Sequence, residues 1–414
     1  MKSFSCIGSL CEDTCCAGWK ITVDQSAYER YEQLPSGQIN PLKYIKKIDN
    51  NKNPEVFGEF VMDEGLSCPM LDGQQLCSIQ LKLGQQYLSN VCAMYPRHTA
   101  VIEGTYEIAA SVSCPEIARL ALLNPSGITF TKYEDRNGNL NDIRKYAVAD
   151  NSDPLGMEYF QELRAAFIQL LQDRRCSLDE RLMKLGLFCD KIQNLMGNGQ
   201  TDEIKRWLAS SPDIWLERIG NNQDDASSLS LPEQLKRLKR LIDIRIIYGV
   251  KNKRYLQCLM DALQGIRYTN GELTEDSLNL YIDAYMSFYS CFIREYEYIL
   301  ENYLVNLAFT KLHSILKGKK LFQIYALLAV KYSLVKFHLI GMSGYYKQAM
   351  NADHSIRLIQ SYTRIIEHCA PYQKSIMKYL KENNLLTVQG MASFVQSPLI
   401  DPISEFRMKN NSDD

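Results

Sequence analysis

A chain of 414 residues with 46% hydrophobic content is long enough for two or three domains with sizeable cores. Its 47 basic against 48 acidic residues leave a net charge of −1, which argues against nucleic acid as a partner, since that usually demands a distinctly basic face. Eight of its thirteen cysteines fall in the first 114 residues, and packing alone does not ask for such crowding.

The chain opens on Met1-Lys2-Ser3-Phe4-Ser5, which lacks the charged start and apolar core of a signal peptide. The expectation is therefore a cytoplasmic, reducing setting, where clustered thiols are metal ligands or redox groups. Cys6, Cys11, Cys15 and Cys16 follow with the spacing C-x4-C-x3-C-C, and Cys68, Cys77, Cys92 and Cys114 come singly. These eight are the candidate metal ligands. Cys176, Cys189, Cys258, Cys291 and Cys369 are isolated and read as core residues.

From Gly58 to Val112 short extended pieces dominate. Thr99–Ile102 and Thr105–Ile108 around Glu103-Gly104 read as a hairpin. Ser113-Cys114-Pro115-Glu116 reads as a capping box opening an apolar helix, Ile117–Leu123, with Cys114 where the helix dipole favours a thiolate. Asn124-Pro125-Ser126-Gly127 ends that helix and suggests a boundary, giving a cysteine-rich module over 1–125 and a helical domain over 126–414.

Beyond it, Met157–Leu171, Arg181–Met196 and Ser277–Phe309 show apolar residues at helical spacing, with Arg294, Glu297 and Glu301 as a solvent face. The polar run from Gly220 to Ser230 reads as a loop, Ser230-Leu231-Pro232-Glu233 as a second capping box, and Lys236, Arg237, Lys239 and Arg240 as a solvated face. Leu321–Tyr346 is the most apolar stretch. Lys331, Lys336 and His338 interrupt it, so no membrane span is expected. The tail from Lys409 to Asp414 reads as frayed. The fold class is thus mainly α, with an N-terminal irregular cysteine-rich metal module that carries a small β-hairpin, followed by a helical body.

Zinc would take four thiolates per ion, but structural zinc sites favour two well-separated C-x2–4-C pairs, which this chain lacks. Iron–sulfur clusters accept ligands from scattered loops. A C-x3-C-x2-C motif is completed only as far as Cys15, because position 18 is Gly18. No G-x-G-x-x-G follows a strand and no Walker loop is present. His98, the one histidine inside the module, reads as a surface or loop residue. Glu12 and Asp13 read as a solvent-facing turn before they read as ligands.

The segment Cys6-Ile7-Gly8-Ser9-Leu10-Cys11-Glu12-Asp13-Thr14-Cys15-Cys16-Ala17-Gly18-Trp19 resembles the opening signature of the flagellin lysine-N-methylase (FliB) family, within the wider YkgJ-type cysteine-rich group. The likeness continues through Cys68-Pro69-Met70-Leu71-Asp72, Leu76-Cys77-Ser78-Ile79-Gln80, Cys92-Ala93-Met94-Tyr95-Pro96-Arg97 and Ser113-Cys114-Pro115-Glu116, with a further echo at Glu301–Asn306. Its first block departs from the wider group's C-x2-C-x2-C-C. The resemblance implies methyl transfer from S-adenosylmethionine to lysine side chains of flagellin, with an iron–sulfur cluster, most simply [4Fe-4S], on the cysteine module and zinc as the alternative metal.

No catalytic residue is assigned by the sequence. Trp19, Tyr95 and Tyr106 are the aromatics nearest the cysteine motifs, suited to a sulfonium or a methylated ammonium, and Arg97 is suited to a carboxylate. The alternative class is a non-catalytic iron–sulfur or zinc protein that carries electrons or binds a partner.

Overall fold

The computed structural model describes residues 4–48, 53–64, 66–102, 105–132, 158–210, 214–215, 230–268, 273–367 and 369–396. The first elements are β1 (Thr22–Val23), α1 (Gln25–Glu32), β2 (Ile45–Lys47) and β3 (Gly58–Phe60). The strands form an antiparallel sheet of order β1-β3-β2, with Thr22 opposite Glu59 and Ile45 opposite Phe60. Asp24 caps α1. Its Oδ1 accepts from Ala27 N at 2.9 Å, and its Oδ2 accepts from Asn90 N at 2.7 Å, tying two distant segments together. Ala27 and Tyr31 pack with Ile21, Val23, Phe60, Met70 and Ile79, and Cys68 belongs to this small core. Two one-turn helices, α2 (Ser78–Lys82) and α3 (Asn90–Met94), close the unit. Between Gly58 and Val112 the chain is therefore less extended than its composition suggests.

The expected hairpin forms as β4 (Arg97–Ile102) and β5 (Thr105–Ala110), with Arg97 opposite Ala110 and Ile102 opposite Thr105; its Glu103-Gly104 turn lies outside the described residues. It leads into α4 (Pro115–Leu122). The hairpin and α4 bury Ile102, Ala110, Val112, Ile117 and Leu122 in the core of the helical body, not in the small N-terminal core.

That body contains α5 (Phe160–Leu171), α6 (Leu178–Gly197), α7 (Thr201–Leu208), α8 (Leu231–Ile247), α9 (Lys253–Gly265), α10 (Glu275–Ala284), α11 (Ser290–Lys311), α12 (Leu321–Tyr346), α13 (Ala352–Glu367), α14 (Ala370–Glu382) and α15 (Val388–Val395). α12 is the hub. By length and composition it would suffice to cross a bilayer, which Lys331, Lys336 and His338 had argued against, but 94% of its apolar window is buried under the other helices. Several of its polar groups are matched inside: Lys336 and the Tyr332 hydroxyl both donate to Asp179, at 2.5 and 2.6 Å, and His338 Nε2 lies 3.1 Å from the Tyr255 hydroxyl. α9 crosses α12 at Gly265 and Gly341, where a Cβ on Gly265 would sit 1.9 Å from the Gly341 carbonyl oxygen. Only glycine permits that approach.

Several sequence expectations are corrected. Helix 277–309 is not continuous: a π-helical stretch, Tyr285–Tyr289, separates α10 from α11. Glu301 does not face solvent. It is 1% exposed and accepts from Arg174 at 2.8 and 2.9 Å and from Arg181 at 2.7 Å, because the corner between α5 and α6 lies over that face. The capping boxes at Ser113 and Ser230 do not form: Cys114 is the N-cap of α4, and Ser230 makes no side-chain cap bond. The box that does form joins Ser177 and Glu180 at the head of α6. Among the isolated cysteines, Cys189 and Cys258 are buried as expected, but Cys291 is exposed and Cys176 and Cys369 are half-buried. Lys184 Nζ stands 3.2 Å from the Cys176 sulfur. Most of the 220–230 loop and the 409–414 tail lie outside the described residues.

Candidate functional site

The cysteine loop is built by two short pairings. Ala17 bridges Ser67 and Leu71 bridges Cys77, while Cys68 N donates to Cys16 O at 2.8 Å, so three separate blocks of the sequence meet. The Cys15 and Cys16 sulfurs are 3.9 Å apart. The Cys16 thiol also bonds Cys77; as shared donor its own pKa is driven up, while those of Cys15 and Cys77 are held down. Arg364 adds to the lowering at Cys15. Burial pushes the Cys68 and Cys114 thiols up to about 11 and Cys92 up to about 12, each raised further by neighbouring cysteine charges that include Cys15. At Cys114 the amide N–H groups of Ile117 and Glu116 favour a thiolate, as the helix start implies, but burial outweighs them. Cys11 is likewise raised by burial, with Cys15 among the contributing charges. Six of the candidate cysteines, Cys11, Cys16, Cys68, Cys77, Cys92 and Cys114, thus lie within electrostatic reach of a seventh, Cys15, and Cys6 is exposed.

Two aromatics from the candidate set flank the loop. Trp19 donates from Nε1 to Cys15 O at 2.8 Å, and its ring lies 6.2 Å from that of Tyr95, tilted by 30°. Burial raises the pKa of Tyr95, whose hydroxyl lies 3.1 Å from Ser113 Oγ, and Ser113 in turn lies 2.7 Å from Ser111 Oγ. This serine pair is where the missing cap hydroxyl went. Arg97, by contrast, stacks over Phe4 at 5.4 Å, and Tyr106 and His98 stand on the hairpin, His98 exposed.

Sequence reasoning missed the groups that hold the loop. Glu12 and Asp13 are not an open turn. Glu12 accepts from Arg119 at 2.6 Å, with Arg254 at 3.5 Å. Asp13 Oδ2 accepts from Gln360 Nε2 at 2.8 Å and Asn252 Nδ2 at 3.4 Å, with Arg364 Nη1 at 3.4 Å. Arg364 also donates to the carbonyls of Thr14 and Ala17, and Gln360 donates to Ser113 O at 2.7 Å, next to Cys114. Helix α13 of the body therefore grips the backbone on both sides of Cys15-Cys16. Its sequence signal is a polar face at helical spacing, Arg357, Gln360 and Arg364, which does not say what it holds.

The helical body matches the family described as the FliB lysine N-methylase C-terminal domain over residues 164–394, more than half of the chain. The chain belongs to the FliB lysine N-methylase family. It is also 34% identical over 126 residues to the flagellar biosynthetic protein FliU of Salmonella muenchen, covering 30% of this chain and 75% of that one. To the lysine-N-methylases of Salmonella typhimurium and Salmonella choleraesuis it is 33% identical over 130 residues, covering 31% of this chain but 32% of those proteins. No solved structure matches.

Among the described residues no three His, Cys, Asp or Glu side chains already stand together as a single-cation site. The donor set nonetheless fits a thiolate-bound group: the sulfurs are soft donors, drawn into one region, and burial raises four of them above an ordinary thiol, a cost that a bound cation offsets.

Proposed function

We propose that this protein is an S-adenosylmethionine-dependent lysine N-methyltransferase acting on flagellin, and that its cysteine module holds an iron–sulfur cluster. The observation that carries the reading is membership of the FliB family through the body whose helix α13 grips the cysteine loop. The ligand pool is Cys11, Cys15, Cys16, Cys68, Cys77, Cys92 and Cys114, with Cys6 at its edge. Once bound, a cluster supplies redox chemistry or an open iron that acts as a Lewis acid.

The chain's own groups set further conditions. Lysine must give up its proton before its nitrogen can attack a methyl group, so the acceptor site has to desolvate the ammonium or offer a base. Trp19 and Tyr95, fixed by their hydrogen bonds beside Cys15, present aromatic faces suited to a sulfonium. In this reading the enzyme works in the cytoplasm on flagellin before export.

The test is direct. Anaerobically purified protein should be brown, and incubation with methyl-labelled donor and unmethylated flagellin should place label on lysine. Intact, metal-loaded protein that leaves flagellin unlabelled removes the methylase reading. A colourless protein carrying zinc removes the iron–sulfur part and leaves the transferase open to the same assay.

A further inference from the structure

Some of the buried side-chain polar atoms without a hydrogen-bond partner among the described residues share one face. Arg357 Nε and Gln360 Oε1 lie on α13 at positions i and i+3, Arg364 follows at i+7 with its Nη1 3.4 Å from Asp13 Oδ2, and Arg254 Nε lies on α9, which packs against α13. Gln360 is fully buried and Arg364 is 6% exposed. The orientation of the Gln360 amide is set, because both partners of its Nε2, Asp13 Oδ2 and Ser113 O, can only accept. Its carbonyl oxygen is therefore an acceptor still to be satisfied, and leaving it so costs about 1–3 kcal/mol.

Charge points the same way. Arg119, Arg254, Arg357 and Arg364 meet here, against Glu12, Asp13 and Glu116. Arg254 and Arg357 repel one another, and burial together with that repulsion lowers the pKa of Arg254. Asp261, the next carboxylate on α9, adds a fourth negative charge to the region and accepts from the Tyr346 hydroxyl at 2.6 Å and Gln257 Nε2 at 2.7 Å.

We infer that this face, formed by Arg254, Arg357, Gln360 and Arg364, binds the α-amino acid head of the methyl donor, the arginines taking the carboxylate and Gln360 Oε1 accepting from the ammonium. A fully deprotonated anion such as sulfate satisfies guanidinium donors but offers nothing to the orphaned acceptor, whereas a zwitterion answers both. The placement follows from the clamp. Arg364 and Gln360 touch the backbone beside Cys15 and Cys114, so a ligand held there lies next to the cysteines and within electrostatic reach of Tyr95. This inference rests on the methylase reading and adds where the donor binds.

The experiment is equilibrium binding of S-adenosylhomocysteine to the full chain, beside its decarboxylated analogue and methylthioadenosine, which lacks the whole amino acid head. Wild type should prefer S-adenosylhomocysteine to either analogue by about tenfold or more. Arg357→Leu and, on the other helix, Arg254→Leu should bring that preference below about threefold, with metal content and melting temperature recorded on the same samples. Folded variants that keep the preference overturn the site, as does a preference lost only in step with metal, since the arginines then serve the cysteines. If both variants unfold, the analogue series on wild type decides: equal binding of all three overturns the inference. A wild type that binds none of them removes the methyl-donor reading itself, a result distinguishable from failure of the site alone.

Discussion

Gln360 donates to Asp13 at 2.8 Å across 347 residues of chain, and Arg364, one turn further along the same helix, lies against the same carboxylate. This pairing fastens the cysteine loop to the methylase-family domain. Asp13 and Arg364 are 13% and 6% exposed at their side chains, so the contact counts as buried. Arg364→Met should cost about 1–3 kcal/mol, because it leaves two backbone carbonyls without a donor and takes from Asp13 its nearby guanidinium, while Gln360 and Asn252 still hold that carboxylate. A denaturant midpoint unchanged from wild type would sink this account. Metal content should fall with it, since the backbone beside Cys15 and Cys16 loses its anchor.

The cysteines divide into a converging set and the rest. Cys77→Ser or Cys16→Ser should lower bound metal per chain, while Cys189→Ala, in the core of the body, should leave it unchanged at some cost in stability. Equal metal loss in both groups, measured by elemental analysis, would refute the division.

At the α9–α12 crossing, Gly341→Ala would set a Cβ 2.4 Å from the Ala262 carbonyl oxygen, and Gly265→Ala would press on Gly341 more closely still. Backbone on the far side cannot swing away as a side chain would. Each substitution should destabilise by about 3 kcal/mol or more, at the upper end of overpacking costs, read as a lower denaturation midpoint.

Acid should cost the protein stability in two pH windows. His338 is buried and its pKa is lowered to about 4 by desolvation, so between the ordinary histidine value of about 6.5 and 4 only the unfolded chain takes up the proton. Stability therefore falls as pH drops through that window, by about 3 kcal/mol in all. Glu107 titrates near 2, its burial outweighed by His313 and Arg164, so its contribution is present above the usual carboxylate range and is lost as pH falls from about 4 towards 2. His338→Gln should flatten the fall in the first window, and Glu107→Gln in the second, in midpoints measured against pH.

Much of the body was legible because its signals are local. α5 and α6 fall on apolar repeats at helical spacing, and the paired strands β4 and β5 fall where extended residues flank Glu103-Gly104 in the sequence. The eight clustered cysteines and the words around them pointed to the FliB family before any geometry. Glu301 shows the limit. Its spacing from Arg294 and Glu297 reads as a wet face, and only the corner between α5 and α6 turns it into a buried partner of Arg174 and Arg181.

By itself, then, the amino-acid sequence determined a helical body, a thiol-rich start and the family, since helix periodicity, turn chemistry and thiol crowding act over a few residues. Only the tertiary structure decided that six other cysteines come within electrostatic reach of Cys15, that the hairpin and α4 join the body's core, and that α13 grips the loop through Gln360 and Arg364. Those contacts bridge hundreds of residues, and a polar side chain on a helix carries no local sign of the partner that folding brings to it.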